Sequence, residues 1–107
     1  MLLVCRFQPA DPAAFADRAR RALALLTAAP GCLGGELGRA VDDPAHWVLT
    51  ARFASVDAYR RALSPFAVRE HVVPLLSEAL PELSTFETLV AAVDGQVTTH
   101  PSLLSDG

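Results

Sequence analysis

The stretch "YRRALSPFAVREHVVPLL", residues 59–76, carries Tyr59, Phe66 and His71, three side chains suited to handling a small aromatic molecule. A neutral imidazole can hold or move a proton near pH 7. A phenol can donate a hydrogen bond to a phenolic or quinone oxygen, and an aromatic ring can stack on a planar substrate. Trp47, the single tryptophan, is the other candidate stacking surface. The stretch is interrupted twice. Ser64 reads as the N-cap of a restarted helix with Pro65 at its first position, and Pro74 removes a backbone donor, which puts a kink or new turn after Val73. On a helix beginning at Pro65, Val68, Val72, Leu75 and Leu76 share a face, with His71 at its edge. One reading makes this broken helix the wall of a pocket in which Trp47, Phe66 and His71 meet one aromatic ligand. The other makes it a jointed helix following a twisted sheet, with His71 bonded to backbone or water, Trp47 filling the core and Tyr59 turning its hydroxyl toward solvent.

More familiar chemistries find no support. No serine or cysteine has a neighbouring base, no carboxylate pair is indicated, and no His-Cys-Asp cluster suggests a metal. Cys5 and Cys32 lack a CxxC spacing and read as small buried hydrophobes. Gly34-Gly35 lacks both the Lys-Ser/Thr ending and the strand-to-helix setting of a phosphate loop. The net charge of -3 and the scattered arginines give no electrostatic footprint for nucleic acid. The opening "MLLVCRFQPAD" has no basic leader, and its apolar run is too short for a signal peptide or a membrane span, so the chain reads as cytoplasmic.

The elements that must position these residues follow from the pattern. With 107 residues, 51% of them hydrophobic, the chain is one domain with a real core. "LLVCRFQ" (2–8) fits a strand buried on both faces. Asp11-Pro12 caps an amphipathic helix with Phe15, Ala19, Ala22, Leu23 and Leu26 on one stripe, stopped by Pro30-Gly31. "CLGGELGRAV" (32–41) reads as an edge strand with a bulge near Gly34-Gly35. "HWVLTARF" (46–53) alternates, with Trp47, Leu49, Ala51 and Phe53 on one face. Ser55 caps the next helix. "STFETLVAAV" (84–93) is a last strand, and residues 94–107 form a polar tail outside the 1–93 domain.

This order predicts an α+β fold, a ferredoxin-like βαββαβ sandwich with two helices on one face of a four-stranded antiparallel sheet. Two helices cover only one face. The first strand is nevertheless apolar at Leu2 and Val4 as well as at Leu3, Cys5 and Phe7, and the last offers Leu89 and Ala91 opposite Phe86 and Val90. A homodimer packing sheet against sheet is the simplest cover. On that outer face Arg6 and Arg52 are placed to pair with carboxylates across the dimer and set its register.

The run "RRALALLTAAPGCLGGELGRAVDDPAHWVLTARFASVDAYRRALSPFAVREHVVPLLSEAL", followed by "STFETL", resembles the antibiotic biosynthesis monooxygenase family of dimeric α/β-barrel proteins over residues 2 to about 93. The resemblance implies a homodimer of ferredoxin-like subunits, each with an apolar pocket between sheet and helices. In some members it also implies oxidation of aromatic substrates by dioxygen without metal, flavin or haem. A cofactor-independent monooxygenase acting on an aromatic polyketide- or quinol-type small molecule is the leading expectation, with His71 moving the proton and Trp47, Tyr59 and Phe66 binding the substrate. The alternatives are a non-catalytic small-molecule-binding dimer and a haem-binding or haem-degrading protein with His71 as axial ligand. The haem-degrading relatives pair that histidine with an asparagine and a tryptophan, where this chain reads "VCRF" and "YRRAL".

Overall fold

The computed structural model describes residues 1–104, so the last three residues of the expected tail lie outside the described residues. The first strand, β1 (Leu2–Phe7), leads into helix α1 (Pro12–Thr27). Strands β2 (Cys32–Arg39) and β3 (Trp47–Phe53) follow, then α2 (Val56–Ala62), α3 (Phe66–His71) and α4 (Val73–Leu76). The chain ends in β4 (Thr85–Phe86), β5 (Val90–Val93) and β6 (Gln96–Thr99). The main sheet has the order β2-β3-β1-β4, all antiparallel, with the helices packed on one face: the expected ferredoxin-like sandwich.

The register explains which side chains meet. Leu3 opposes Ala51, Cys5 opposes Leu49 and Phe7 opposes Trp47. Alternation therefore sends all six to the helix side. There they meet the stripe of α1, where Phe15, Ala19, Ala22 and Leu26 are buried, and Val68, Val72 and Leu75 of α3 and α4. Asp11 caps α1 as expected, its carboxylate accepting from the Ala14 N–H at 3.2 Å with Pro12 in the first turn. Ser55 does the same for α2 through Ala58. The β2 edge bulges between Cys32 and Gly34. Gly35 next to that bulge is there for space: a Cβ would sit 2.6 Å from the Thr50 carbonyl oxygen and 3.0 Å from Leu23 of α1.

Four expectations need correction. Ser64 does not cap α3. Its hydroxyl donates back to the Arg61 carbonyl at 2.8 Å, satisfying the open end of α2, and Pro65 takes the cap position with no side-chain bond. The second break comes at Val72, before Val73 rather than after it, because Pro74 fits the first turn of α4 and has no N–H to return to the preceding turn. The last strand is not continuous over 84–93. Only Thr85–Phe86 pairs with β1, and residues 90–99 form a separate hairpin about Asp94-Gly95, both at positive φ, so part of the expected tail is a strand. Finally, Arg6 finds its carboxylate within its own chain. The segment after α4 returns along β1, with Leu80 N–H donating to the Arg6 carbonyl at 2.7 Å, and Glu82 takes the guanidinium in a two-pronged bridge at 2.6 and 2.9 Å.

The burial pattern separates two phenylalanines. Phe53 is 1% exposed in the core and Phe66 is 71% exposed. Phe53→Ala should cost about 3–5 kcal/mol, because it removes a buried ring from a close-packed layer. Phe66→Ala should change stability by no more than about 0.5 kcal/mol. Urea unfolding midpoints compare the two directly, and equal losses would contradict this core.

Candidate functional site

The helix-side face of β3 carries an aromatic group at each end. At the Trp47 end, the cap at Asp11 launches α1 so that Phe15 falls over the last residues of β1. Phe15 contacts Phe7 at a ring-centroid distance of 4.9 Å and meets Trp47 edge-on at 5.7 Å and 74°. Across the β2–β3 ladder Arg39 opposes Trp47, and its guanidinium lies 5.7 Å from the indole centroid, a cation–π arrangement. The indole Nε1 is buried and has no hydrogen-bond acceptor, the one such side-chain atom among the described residues. A buried donor left unpaired costs free energy comparable to a lost hydrogen bond. The indole N–H is thus left as a donor with no acceptor.

At the other end, the cap at Ser55 starts α2 so that Tyr59 lies edge-on to Phe53, centroids 5.3 Å apart and 61° between planes. Tyr59 is half-buried, and burial pushes its phenol above the ordinary tyrosine pKa, with the nearby Cys5 adding to the rise. Burial likewise raises the Cys5 thiol, only partly offset by a hydrogen bond from the Ser84 side. Both groups stay protonated through neutral pH. Tyr59 is thus a donor at the Phe53 end of the strand.

His71 and Phe66 stand elsewhere. His71 lines a polar cleft of about 220 Å³ on the outside of the helical layer, with Asp17, Arg18 and Arg21 from α1 and Glu70 and Pro74 beside it. Arg18 is engaged by Glu78 in a two-pronged ion pair. Phe66, first residue of α3, is turned to solvent. The expected meeting of Trp47, Phe66 and His71 around one ligand is not assembled. Packing Val68, Val72 and Leu75 inward turns Phe66, two residues before Val68, to the solvent side, and leaves His71 half-buried at the edge of that face. Trp47 and Tyr59 both stay on the helix side, near opposite ends of one strand.

A cavity of about 600 Å³ lies outside the helix–sheet layer. It is a groove between the outer sheet face, at Leu2, Leu33 and Arg52, and the β5–β6 hairpin, at Val90, His100 and Leu103. Its far wall is tied down through Glu87, whose carboxylate accepts from the Ser102 hydroxyl at 2.5 Å and the Leu103 N–H at 3.1 Å. Reading residues 84–93 as one strand hides this groove. The signal available in sequence was the Asp94-Gly95 pair, which between two apolar runs is a hairpin turn. Among the described residues no group of three or more His, Cys, Asp or Glu side chains is placed to hold a metal ion.

Comparison with known proteins gives a consistent result. The family model for antibiotic biosynthesis monooxygenase matches residues 3–72. SnoaB, a cofactor-independent oxygenase from Streptomyces nogalater, is 28% identical, with 82% of this chain and 94% of that chain covered at a TM-score of 0.65. Rv0793 from Mycobacterium tuberculosis is 18% identical, covering 99% of this chain and 97% of that one at a TM-score of 0.61. A conserved protein from Methanosarcina mazei Go1 is 16% identical, covering 78% and 84% at a TM-score of 0.64. These last two share the fold. No curated protein sequence matches this one.

Tyr59 is the single tyrosine, so its titration can be read without interference. Its pKa is raised in the folded state. The folded protein therefore holds this proton at pH values where the unfolded chain has released it, and the resulting stability is lost as pH rises through the folded value. Tyrosinate absorbance in the folded protein should appear above the range seen in urea. An identical titration in both states would remove the buried phenol from the site.

Proposed function

Because the chain belongs to the antibiotic biosynthesis monooxygenase family, we propose that it is a cofactor-independent monooxygenase acting with dioxygen on an aromatic polyketide- or quinol-type small molecule. The observation that carries this reading is the likeness to SnoaB over most of both chains. An electron-rich substrate such as an anthrone, once deprotonated, can itself pass an electron to dioxygen. Recombination gives a hydroperoxide that loses water, so a CH2 becomes C=O and one dioxygen yields one carbonyl oxygen and one water. The protein's part is to bind the ring system, favour its anion and exclude water.

The helix-side face offers groups for each task. The unpaired Trp47 indole N–H supplies a donor for the substrate oxygen, and the Arg39 guanidinium beside it favours the anionic form. Tyr59, kept protonated by burial, supplies a second donor at the Phe53 end of the strand. His71 lines the outer cleft, and this reading gives it no part in the proton transfer.

The protein works as a homodimer. Leu2, Phe86, Leu89 and Val90 are exposed on the side the helices leave open, and Val4 beside them is only half-buried. A second copy is the cover that a symmetric association supplies. Sedimentation at low micromolar concentration should give twice the 11.4 kDa chain mass, and a stable monomer would contradict it.

Oxygen uptake with an anthrone or dihydroanthraquinone, in the presence of a chelator and without added flavin, tests the chemistry. The same compound should quench the fluorescence of the lone Trp47. Trp47→Phe keeps the ring but removes the donor, and should lower kcat/KM by about tenfold or more, the worth of a hydrogen bond to an anionic oxygen. His71→Ala should leave turnover nearly unchanged. If it instead cost about a hundredfold in kcat with binding intact, proton transfer would belong to His71 after all. Quenching without oxygen uptake would make the protein a binding dimer rather than an enzyme.

A further inference from the structure

The oxygenation proposed above begins with the loss of a proton, and the described residues give the layer between sheet and helices no group to take it. No polar or charged residue is buried there. Cys5 is part of that core and Tyr59 packs against it, and burial keeps both protonated at neutral pH, so they donate and do not accept. Cys32, at the rim, turns its thiol to the Gly34 carbonyl at 3.8 Å. The histidines stand elsewhere. His46 immediately precedes Trp47, so alternation sends it to the other side of the sheet, and its Nε2 lies 3.3 Å from the Asp43 carboxylate. His71 lines the outer cleft, and His100 lines the groove beside the β5–β6 hairpin. The elements that meet at Trp47 carry few charges: Arg6 on β1, Arg39 on β2, Asp42 and Asp43 in the turn that follows β2, and Asp11 at the start of α1. Arg6 is taken by Glu82, Asp11 caps its helix, and Asp43 lies against His46. Arg39 is in no ion pair among the described residues, and its guanidinium stands 5.7 Å from the indole centroid.

We propose that Arg39 determines specificity for a ring compound already ionised in solution: the site takes up the oxyanion of a phenol or enol made acidic by a conjugated carbonyl, and no side chain of the protein removes that proton. The proposal rests on the ring position beside Trp47 argued above, not on the step with dioxygen. The proton passes to water before binding and leaves its electron pair on the substrate oxygen, so the complex forms with no change of protonation in the protein. A neutral phenol would accept the indole hydrogen but would bring its own O–H into a layer with no acceptor to offer it, which is costly. Its oxyanion brings no such hydrogen, accepts the indole N–H more strongly and has a cation beside it. Arg39 is exposed, so its pull is that of a rim charge and weakens with salt. Donor and cation together favour acidic ring hydroxyls over simple phenols.

Calorimetric titration of the full-length protein at neutral pH tests this with 4-nitro-1-naphthol, which is ionised there, 1-naphthol, which is not, and 1-methoxynaphthalene, which has no proton to lose. The anion should bind most tightly. The affinity of 1-naphthol should rise with pH until its own hydroxyl is ionised, while that of 1-methoxynaphthalene stays level. Arg39→Gln should weaken 4-nitro-1-naphthol binding about two- to fivefold, the worth of an exposed charge pair, with a smaller effect at high salt. It should leave 1-methoxynaphthalene unchanged. Arg39→Lys keeps the charge and should restore most of the loss, which separates charge from damage to the strand edge. Where oxygen uptake is seen, the pH limb of kcat/KM should move from one anthrone to another with the acidity of the substrate. A limb at one fixed pH for every substrate would overturn the proposal and leave the oxygenase reading standing, and its loss in His46→Ala or His71→Ala would name the base. The expected order of affinities without any oxygen uptake would do the reverse. Equal affinity for all the probes, or an Arg39→Gln variant that binds the anion as well as the parent, would overturn the proposal.

Discussion

The pairing of β1 with β3 is the constraint on which the rest depends. Six consecutive residue pairs, from Leu2 opposite Arg52 to Phe7 opposite Trp47, put Leu3, Cys5, Phe7, Trp47, Leu49, Ala51 and Phe53 on one side. A slip of one residue would exchange that set for Leu2, Val4, Arg6, Val48, Thr50 and Arg52, and the sheet would have no core face for α1 to cover. The N-terminus helps hold the register. Its ammonium group donates to the Phe53 carbonyl at 2.8 Å and the Phe53 N–H returns to the Met1 carbonyl at 2.9 Å. With that ladder fixed, the alanines of α1 allow the helix to lie close on the sheet. Gly31 then lets the chain leave the helix at a φ of +86° against Ala58, where a Cβ would come within 2.7 Å.

Sequence periodicity made most of this legible. Alternation in "HWVLTARF" and the 3.6-residue stripe of α1 are strong because one face of each element is wholly buried, so every position must obey. The caps at Asp11 and Ser55 were readable because a short polar side chain just before an apolar periodic run has one common use. The failures share a cause. Ser64 looked like the same signal, but it stands between two helix ends, and a hydroxyl there can serve either one. At 84–93, apolar residues at both parities fit one long strand or a short strand plus a hairpin. What decides is which partner each half finds, and sequence spacing does not carry that.

The candidate site was less legible for a related reason. Residue type says what Trp47, Tyr59, Phe66 and His71 are able to do, and their neighbours say whether they are core or surface. On a helix as short as α3, a rotation of a few tens of degrees moves an edge residue from the core to the outside. Val68, Val72 and Leu75 fix that rotation, and Phe66 and His71 have no vote in it. Trp47 was better placed by its strand, since alternation leaves only two choices. Its unpaired N–H follows from the third dimension alone, where Phe15, Phe7 and Arg39 surround the ring without an oxygen among them.

That orphan gains weight from the poverty of its surroundings. No polar or charged residue is buried among the described residues, so the layer between sheet and helices is apolar apart from half-buried groups at its rim. A planar ring system entering it would lose water and meet mostly methyl groups and aromatic edges, which fix depth but not orientation. Orientation would fall to the few donors present, and an oxygen would be drawn to the indole N–H because any placement away from the donors leaves it and the indole unpaired. The same dryness suits chemistry in which a carbanion meets dioxygen, a nonpolar gas, before it meets a proton donor. An apolar layer with one unsatisfied donor and a cation beside it therefore links packing to reactivity. The features that make the core plain are those that would let the substrate do the chemistry.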